Sequence, residues 1–384
     1  MSLDSTDPNT LLKQEILWVD DNLMLSELCT HWLSSPLLAL DTEFIRTNTY
    51  YPKSALIQIN DGQKNYLIDA VAITDWQSFI GLLQSEKVIK VLHACSEDLE
   101  VFSHLFSALP VNMFDTQIAA AFCGYGFSIG YANIVEEILG LHLPKGESRS
   151  NWLQRPLTSA QITYAALDVE HLFVVAERLL EQLKGTDKEG WVTEECESLL
   201  EAYLQSQDPT QSVRRAKGAW RLDALGYAML KELYYWREIE AQERNLPRNF
   251  VVKEQSLLQI AESKPNDTRA LSKVPELSEK AVRRYGATIL QLLDDVKQNF
   301  VDGQELPAPR PLNTSQKQKV KLMREAFNKL SQSLGLAPEL LARRKDYEHI
   351  VRAVAQGEQG DAIFPDSLSG WRQPFVKETV LSVL

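Results

Sequence analysis

The chain has 384 residues, of which 44% are hydrophobic and 24% charged, and its formal net charge is −12. This length allows two or three domains, and the composition is ordinary for a soluble globular protein. The acidic balance argues against a protein that coats nucleic acid along its whole surface, although a local basic groove is compatible with it.

The cysteines and the N-terminus predict where the protein works. Cys29, Cys95, Cys123 and Cys196 form no CxxC pair, so we expect a reducing compartment and neither a zinc knot nor a disulfide framework. The N-terminus is acidic and lacks the apolar run of a signal peptide. No stretch reaches the roughly 20 apolar residues that a membrane span needs. We therefore expect a cytoplasmic protein with no membrane partner. We also expect a monomer, although nothing in the sequence decides the oligomeric state.

Short strands are the first predicted elements. The apolar run LLAL (37–40) ends in acidic residues, as expected for a strand that is buried on both faces. Further strands are predicted at 55–59, 65–69 and 88–93. The Asp-Gly pair in NDGQKN (60–65) indicates a hairpin. Strands joined by hairpins and followed by helices predict an α/β domain with a mixed central sheet flanked by helices.

Two helices follow these strands in the predicted order. The first is expected to begin near Ser96, which we interpret as its N-cap, and to run through Phe106. The second is expected from about Ser159 to Leu183, because Thr158 and Gln161 have the spacing of a capping box.

Helices alone are predicted beyond residue 185. Residues 185–208 contain seven acidic residues and one lysine, which we interpret as a helix followed by a linker. The chain is predicted to be all-α from about 220 to 299. A proline-rich run at 306–313 predicts a second linker, and another helical segment occupies 314–384.

Four acidic residues and a tyrosine are the candidates for chemistry. Asp41 and Glu43 are two residues apart on a predicted strand, so their side chains share a face. Asp98 lies in the first turn of a predicted helix, and Tyr164 and Asp168 are four residues apart on another. Taken singly, each has an ordinary structural explanation. Together they could form a site for hard divalent cations.

The order and the flanking segments of these residues resemble a known family. DTEFIRTNTYYPKSALIQI, HACSEDLEVF, FDTQIAAAF and RSNWLQRPLTSAQITYAALDVEHL are similar to the DEDD exonucleases of the ribonuclease H-like (DnaQ-like) fold, in the subclass with a YxxxD motif. Within that superfamily the chain resembles the ribonuclease D family over residues 37–183.

The resemblance implies roles for the candidate residues. Asp41, Glu43, Asp98 and Asp168 would hold two Mg²⁺ or Mn²⁺ ions, and Tyr164 would orient the attacking water. An unperturbed tyrosine has a pKa of about 10, so orientation is easier to defend than proton removal by its phenolate.

Five other residues are candidates for gripping the substrate. Phe44 could stack on a terminal base, or pack in the core. Arg46, Lys145, Arg149 and Arg155 could meet phosphates, or be ordinary solvated side chains.

The helical half resembles a second module. Residues 218–297 are similar to the HRDC domain, a helical module associated with nucleic-acid binding. Residues 310–353 carry ten lysines and arginines against four acidic residues, and look like a second, divergent HRDC unit. This basic segment is the best electrostatic candidate for RNA contact, although it could be a solvated helix face. We expect an exonuclease domain at 1–205 and HRDC-like domains at 214–300 and 312–384.

The family implies a metal-dependent 3′–5′ exoribonuclease that releases nucleoside 5′-monophosphates. Its expected partners are the 3′ ends of tRNA precursors and other small structured RNAs. Two alternatives stay open at this point: a 3′–5′ exodeoxyribonuclease, and a catalytically silent RNA-binding protein.

Overall fold

A six-stranded mixed sheet forms the centre of the N-terminal region. A computed structural model describes residues 12–143, 146–147, 149–301, 303 and 308–383. The strands are β1 (Ile16–Val19), β2 (Leu37–Ile45), β3 (Lys53–Asn60), β4 (Asn65–Asp69), β5 (Ile89–Leu92) and β6 (Met113–Asp115). Their spatial order is β1-β4-β3-β2-β5-β6. The β2/β3 and β3/β4 pairs are antiparallel, and the other pairs are parallel. The predicted mixed sheet is confirmed.

The hairpin between β3 and β4 depends on a glycine. Gly62 has a φ of +85°, a left-handed conformation that glycine adopts without strain. A Cβ atom at Gly62 would also lie 2.7 Å from the Phe173 ring. The Asp-Gly turn is therefore needed both for the backbone conformation and for the close approach of a helix.

Helices cover the sheet. Those of the N-terminal region are α1 (Asn22–Trp32), α2 (Gln77–Leu83), α3 (Ser96–Phe106), α4 (Thr116–Phe122), α5 (Tyr131–Leu139), α6 (Ser159–Leu183) and α7 (Asp187–Ser206). The predicted bounds of α3 and α6 are confirmed, and so is the capping box of Thr158 and Gln161. The predicted N-cap of α3 was wrong: Cys95 occupies the cap position, and Ser96 is the first helical residue.

The described residues beyond α7 form only helices and the loops between them, as predicted. They comprise α8 (Ala224–Glu243), α9 (Arg248–Val251), α10 (Glu254–Ser263), α11 (Thr268–Leu271), α12 (Glu279–Asn299), α13 (Thr314–Leu334), α14 (Pro338–Leu341), α15 (Arg344–Ala355) and α16 (Gln373–Leu381), with several short 3₁₀ turns. In the described part of the chain, no helix combines the length and apolar character that crossing a membrane requires.

The contacts group the chain into two compact units. Unit 1 consists of 1–45, 52–200 and 312–384, and unit 2 of 46–51 and 201–311. The expected first and third domains thus share one unit, which the local sequence gave no reason to expect.

The C-terminal segment of unit 1 is held to α7 by aromatic and charged side chains. The Trp371 and Trp191 rings stack with centroids 4.8 Å apart. The Arg372 guanidinium forms a two-pronged ion pair with the Glu195 carboxylate, which also accepts a hydrogen bond from the Trp371 indole at 2.8 Å. Both charged side chains are almost inaccessible to solvent, so this contact fixes the C-terminal segment on α7.

Unit 2 is a helical bundle whose core lies among α8, α10 and α12. The segment 46–51, which follows β2, completes it. The Tyr50 hydroxyl donates a hydrogen bond to Glu238, and the Asn245 side-chain oxygen accepts from the backbone amides of Tyr50 and Tyr51 at 3.0 Å each.

Candidate active site

Strand β2 presents two of the candidate acids. Its first four residues are buried, and Asp41 and Glu43 follow at alternate positions, where both side chains reach the edge of the core. The register with β3 shifts between Glu43 and Phe44, so Ala55 of β3 has no partner on β2. A bulge of this kind bends a strand beside the site that it serves.

Helix α6 supplies the other acid and the tyrosine. It packs across β2, β3, β4 and β5. Tyr164 and Asp168 are one helical turn apart, and their side chains are hydrogen-bonded to each other. The helix therefore places Asp168 beside the strand that carries the first two acids.

Three of the four acids converge. Ligand oxygens of Asp41, Glu43 and Asp168 lie within 4.8 Å of one another. Asp98 lies outside this group of three: its carboxylate is 8% exposed and accepts a hydrogen bond of 2.5 Å from the Thr42 hydroxyl. It is still close enough for its charge to act on Asp41 and Glu43.

The electrostatics of the cluster favour a bound cation. Burial raises the pKa of Glu43 to about 10, and the charges of the other three acids add to the rise. Burial also raises the pKa of Asp41 to about 6. The pKa values of Asp98 and Asp168 lie well above their usual range because of burial and the nearby Asp41. Carboxylate oxygens are the donors that Mg²⁺ and Mn²⁺ prefer, so these residues fit such ions.

Asp115 fixes the start of the helix that carries Asp98. The Asp115 carboxylate accepts the backbone amides of Ala94 and Cys95, at 3.2 and 3.0 Å, just before α3 begins. The same carboxylate caps α4 by accepting from Gln117 and Ile118. Asp115 therefore ties the starts of two helices together and holds Ala94 in its left-handed conformation, with φ of 55°.

Tyr131 contacts the backbone of Asp168. Its hydroxyl donates a hydrogen bond to the Asp168 carbonyl oxygen. The ring packs edge to face on His93, with centroids 5.5 Å apart. His93 itself bonds to Thr116 and to the Ile129 carbonyl, and burial lowers its pKa. These contacts give His93 a structural role.

The Tyr164 ring is enclosed on two sides. The Trp152 ring lies at a centroid distance of 6.0 Å. The Gly146 backbone lies so close that a Cβ atom there would be 1.8 Å from the Tyr164 ring. Only glycine fits at this position while Tyr164 keeps its place.

The predicted substrate-binding residues have different surroundings. Phe44 is half-buried on β2, directly after the bulge. Arg149 is exposed. Arg46 is exposed and belongs to unit 2. Lys145 lies outside the described residues. A role in substrate binding stays a prediction for these four.

Arg155 was predicted to contact phosphates, but its side chain forms hydrogen bonds within the fold. Its guanidinium donates to both Asp69 carboxylate oxygens and to the Trp152, Gln154 and Ala55 carbonyls. These bonds use all five of its N–H groups, so none is left for a phosphate. Because Ala55 is the residue left unpaired by the bulge, Arg155 satisfies its carbonyl and supports β3 opposite the catalytic candidates.

Sequence reasoning did not single out Thr42, Asp115 or Tyr131. Asp115 had a detectable signal, since an aspartate directly before a helical run is a typical N-cap. Thr42 and Tyr131 had none, because their partners are 56 and 37 residues away in the chain.

Two protein-family models match the chain. A model described as 3′-5′ exonuclease matches residues 16–184, which contain all four acids and Tyr164. A model described as HRDC domain matches residues 227–293.

Individual relatives match over nearly the whole length. The ribonuclease D of Pseudomonas paraeruginosa is 40% identical over 370 residues, covering 96% of this chain and 98% of the relative. The ribonuclease D of Escherichia coli is 36% identical over 380 residues, covering 97% and 99%. A crystal structure of the Escherichia coli RNase D, an exoribonuclease involved in structured RNA processing, superposes with a TM-score of 0.84 at 34% identity, covering 97% and 99% of the two chains.

Proposed function

The chain belongs to the ribonuclease D family of 3′–5′ exoribonucleases, and we propose that it trims the 3′ ends of tRNA precursors and other small structured RNAs in a metal-dependent reaction. The convergence of Asp41, Glu43 and Asp168 carries this proposal. The presence of all the acids together with Tyr164 also disfavours a catalytically silent RNA-binding protein.

We propose that the acids hold two Mg²⁺ or Mn²⁺ ions. Asp41, Glu43 and Asp168 supply the converging oxygens, and Asp98 contributes from beside Asp41. Bound divalent ions supply an acidified water and charge stabilisation for the leaving 3′ oxygen. Two other residues of this chain help to fix the acids in place: Asp115 holds the start of α3, which carries Asp98, and Tyr131 bonds to the Asp168 carbonyl.

Metal binding is expected to stabilise the protein independently of activity. We expect Mg²⁺ or Mn²⁺ to raise the melting temperature of the metal-free protein. A ligand that binds only the folded state raises the free energy of unfolding by about 2.7 kcal/mol when its concentration is a hundred times its dissociation constant. A much smaller rise is expected for Asp168→Asn. Without metal at neutral pH, this variant is expected to melt at or above the wild-type temperature. The folded-state pKa of Asp168 is raised, so its ionisation destabilises the fold as pH rises above the unfolded value. Equal metal-dependent shifts in both proteins, measured by differential scanning fluorimetry, would contradict the assignment.

Tyr164 acts in this proposal as a hydrogen-bonding group. Burial and the charges of Asp168, Glu43 and Asp41 raise its pKa further, so the hydroxyl stays protonated at neutral pH. Tyr164 therefore orients the attacking water and does not remove its proton as a phenolate.

We expect Tyr164→Phe to lower the single-turnover rate about ten- to a hundredfold, with little change in RNA affinity, because only the orienting hydroxyl is lost. Rapid-quench measurements with excess enzyme provide the rate, and binding in EDTA provides the affinity. A variant that reacts at the wild-type rate would remove Tyr164 from the mechanism.

Product analysis tests the proposed function as a whole. A 3′-extended tRNA precursor is incubated with the protein in Mg²⁺, Mn²⁺ or EDTA. We expect stepwise shortening from the 3′ end, nucleoside 5′-monophosphates as products, and no reaction in EDTA. Release of 3′-phosphates, or activity in EDTA, would overturn the mechanism. A matched DNA oligonucleotide degraded as fast as RNA would favour the exodeoxyribonuclease alternative.

A further inference from the structure

A basic groove runs along α13 in unit 1, outside the acidic cluster, by which we mean Asp41, Glu43, Asp98 and Asp168. It encloses about 1040 Å³. Its cationic side chains are Lys317, Lys321 and Arg324 on α13, and Arg343 and Arg344 at the start of α15. We refer to the space between these residues as the basic groove.

The charge of the groove is opposite to that of the whole protein. Five cationic side chains face two acidic ones, Glu339 and Glu348. Glu348 is paired with the exposed Arg344 at 2.8 Å. The chain as a whole carries a net charge of −12, so this local concentration of positive charge selects a polyanion.

An aromatic side chain lines the same groove. Phe127 comes from the loop between α4 and α5 and is 38% exposed. The Arg343 guanidinium lies over its ring, 5.5 Å from the centroid. Cations that track phosphates together with an aromatic face that stacks on bases are the combination that binds single strands. A duplex would use only the cations, since its bases are stacked inside.

The groove is connected to the acidic cluster by a short stretch of chain. Phe127 is four residues before Tyr131, whose hydroxyl bonds to the Asp168 carbonyl. Four residues span at most about 14 Å. The stacking of Trp371 on Trp191 and the ion pair of Arg372 with Glu195 also fix the C-terminal segment on α7. A strand lying in the groove is therefore close to the acids.

We propose that the basic groove binds single-stranded RNA a few nucleotides upstream of the 3′ end that is removed. This inference rests on the proposed function, because it takes the occupant to be the substrate of the acidic cluster. The cations contact the phosphates, and Phe127 stacks on a base.

Two double variants test the groove with the same number of charges removed. Lys317→Ala/Lys321→Ala removes two cations that line the groove. Lys329→Ala/Lys345→Ala removes two exposed lysines near it that do not line it. Fluorescence anisotropy with a 5′-labelled, unstructured RNA of about 20 nucleotides is measured in EDTA across a series of salt concentrations.

The groove double variant is expected to bind the RNA about tenfold more weakly at low salt. Its plot of log affinity against log salt concentration is expected to be shallower by about 1.4, or about 0.7 for each lost phosphate contact. The control double variant is expected to stay within about twofold of wild type. Phe127→Ala is expected to weaken binding of the single strand about tenfold and to leave a blunt RNA duplex unaffected.

Equal affinities and salt slopes in the two double variants would overturn the groove assignment. An equal loss for single strand and duplex in Phe127→Ala would overturn the single-strand assignment. Because binding is measured in EDTA, failure here is distinguishable from failure of the proposed function, which appears as absent or incorrect products from the wild-type protein in Mg²⁺.

Discussion

Replacing Asp168 with asparagine is expected to lower the rate of nucleotide release about a thousandfold or more and to leave RNA affinity largely intact. The substitution keeps the size of the side chain and removes the charge at the point where Asp41, Glu43 and Asp168 converge. Charge stabilisation by catalytic metal ions supplies several kcal/mol in the transition state, and each 1.36 kcal/mol corresponds to a factor of ten in rate. Asp41→Asn is expected to have the same effect.

The measurement is the single-turnover release of nucleotides from a 3′-labelled RNA, with affinity measured separately in EDTA. Asp20→Asn is the matched control, because Asp20 is an exposed aspartate outside the cluster. A thermal melt shows whether each variant is folded. Retained nucleotide release in purified, folded Asp168→Asn would refute the assignment of metal ligands.

Replacing Arg155 with alanine is expected to lower the free energy of unfolding by about 3–5 kcal/mol, the cost of leaving a buried carboxylate unpaired. The Asp69 side chain is only 8% exposed. The substitution also removes the donor to the carbonyl of Ala55, at the bulge opposite Glu43. Urea unfolding followed by tryptophan fluorescence provides the change, with the exposed Arg149→Ala as control.

The effect of Arg155→Ala is expected to depend on pH. Burial of Asp69 acts to raise its pKa, but the hydrogen bonds from Arg155 and from the Val71 amide hold it below the usual range. A carboxyl group with a depressed folded-state pKa stabilises the fold above its unfolded pKa of about 3.9. That contribution is lost as pH falls through the folded-state value. The stability difference between wild type and variant should therefore be largest near neutral pH and shrink in acid. A stable variant with weakened RNA binding would instead restore Arg155 as a phosphate ligand.

The sequence predicted those parts of the fold that local patterns encode. The apolar run before Asp41 predicted β2, the Asp-Gly turn predicted the β3–β4 hairpin, and the capping box predicted the start of α6. Strand β6 was not predicted, because a run of three residues carries no readable periodicity. Strand β1 was not predicted either, although its four residues make it as long as β5.

In the candidate site, the roles that the sequence could not predict depend on contacts between residues that are far apart in the chain. The partner of Arg155 is 86 residues away in the chain, so a structural ion pair and a phosphate ligand look the same in a linear pattern. Likewise, nothing near Asp98 in the sequence shows that the Thr42 hydroxyl faces it. The family resemblance predicted that the four acids lie in one site. Only the three-dimensional structure shows that Asp41, Glu43 and Asp168 converge and that Asp98 lies outside this group.

The division of the chain into units has a consequence for biosynthesis. Unit 1 begins near the N-terminus and is completed only by residues 312–384, while the intervening residues 201–311 build unit 2. Domains generally fold as they emerge from the ribosome, N-terminal parts first. Here Trp191 and Glu195 contact Trp371 and Arg372, which are synthesised much later. All the residues of the unit 2 bundle are therefore synthesised before unit 1 is complete. Unit 1 therefore acquires these supporting contacts only after the residues of unit 2 have been synthesised.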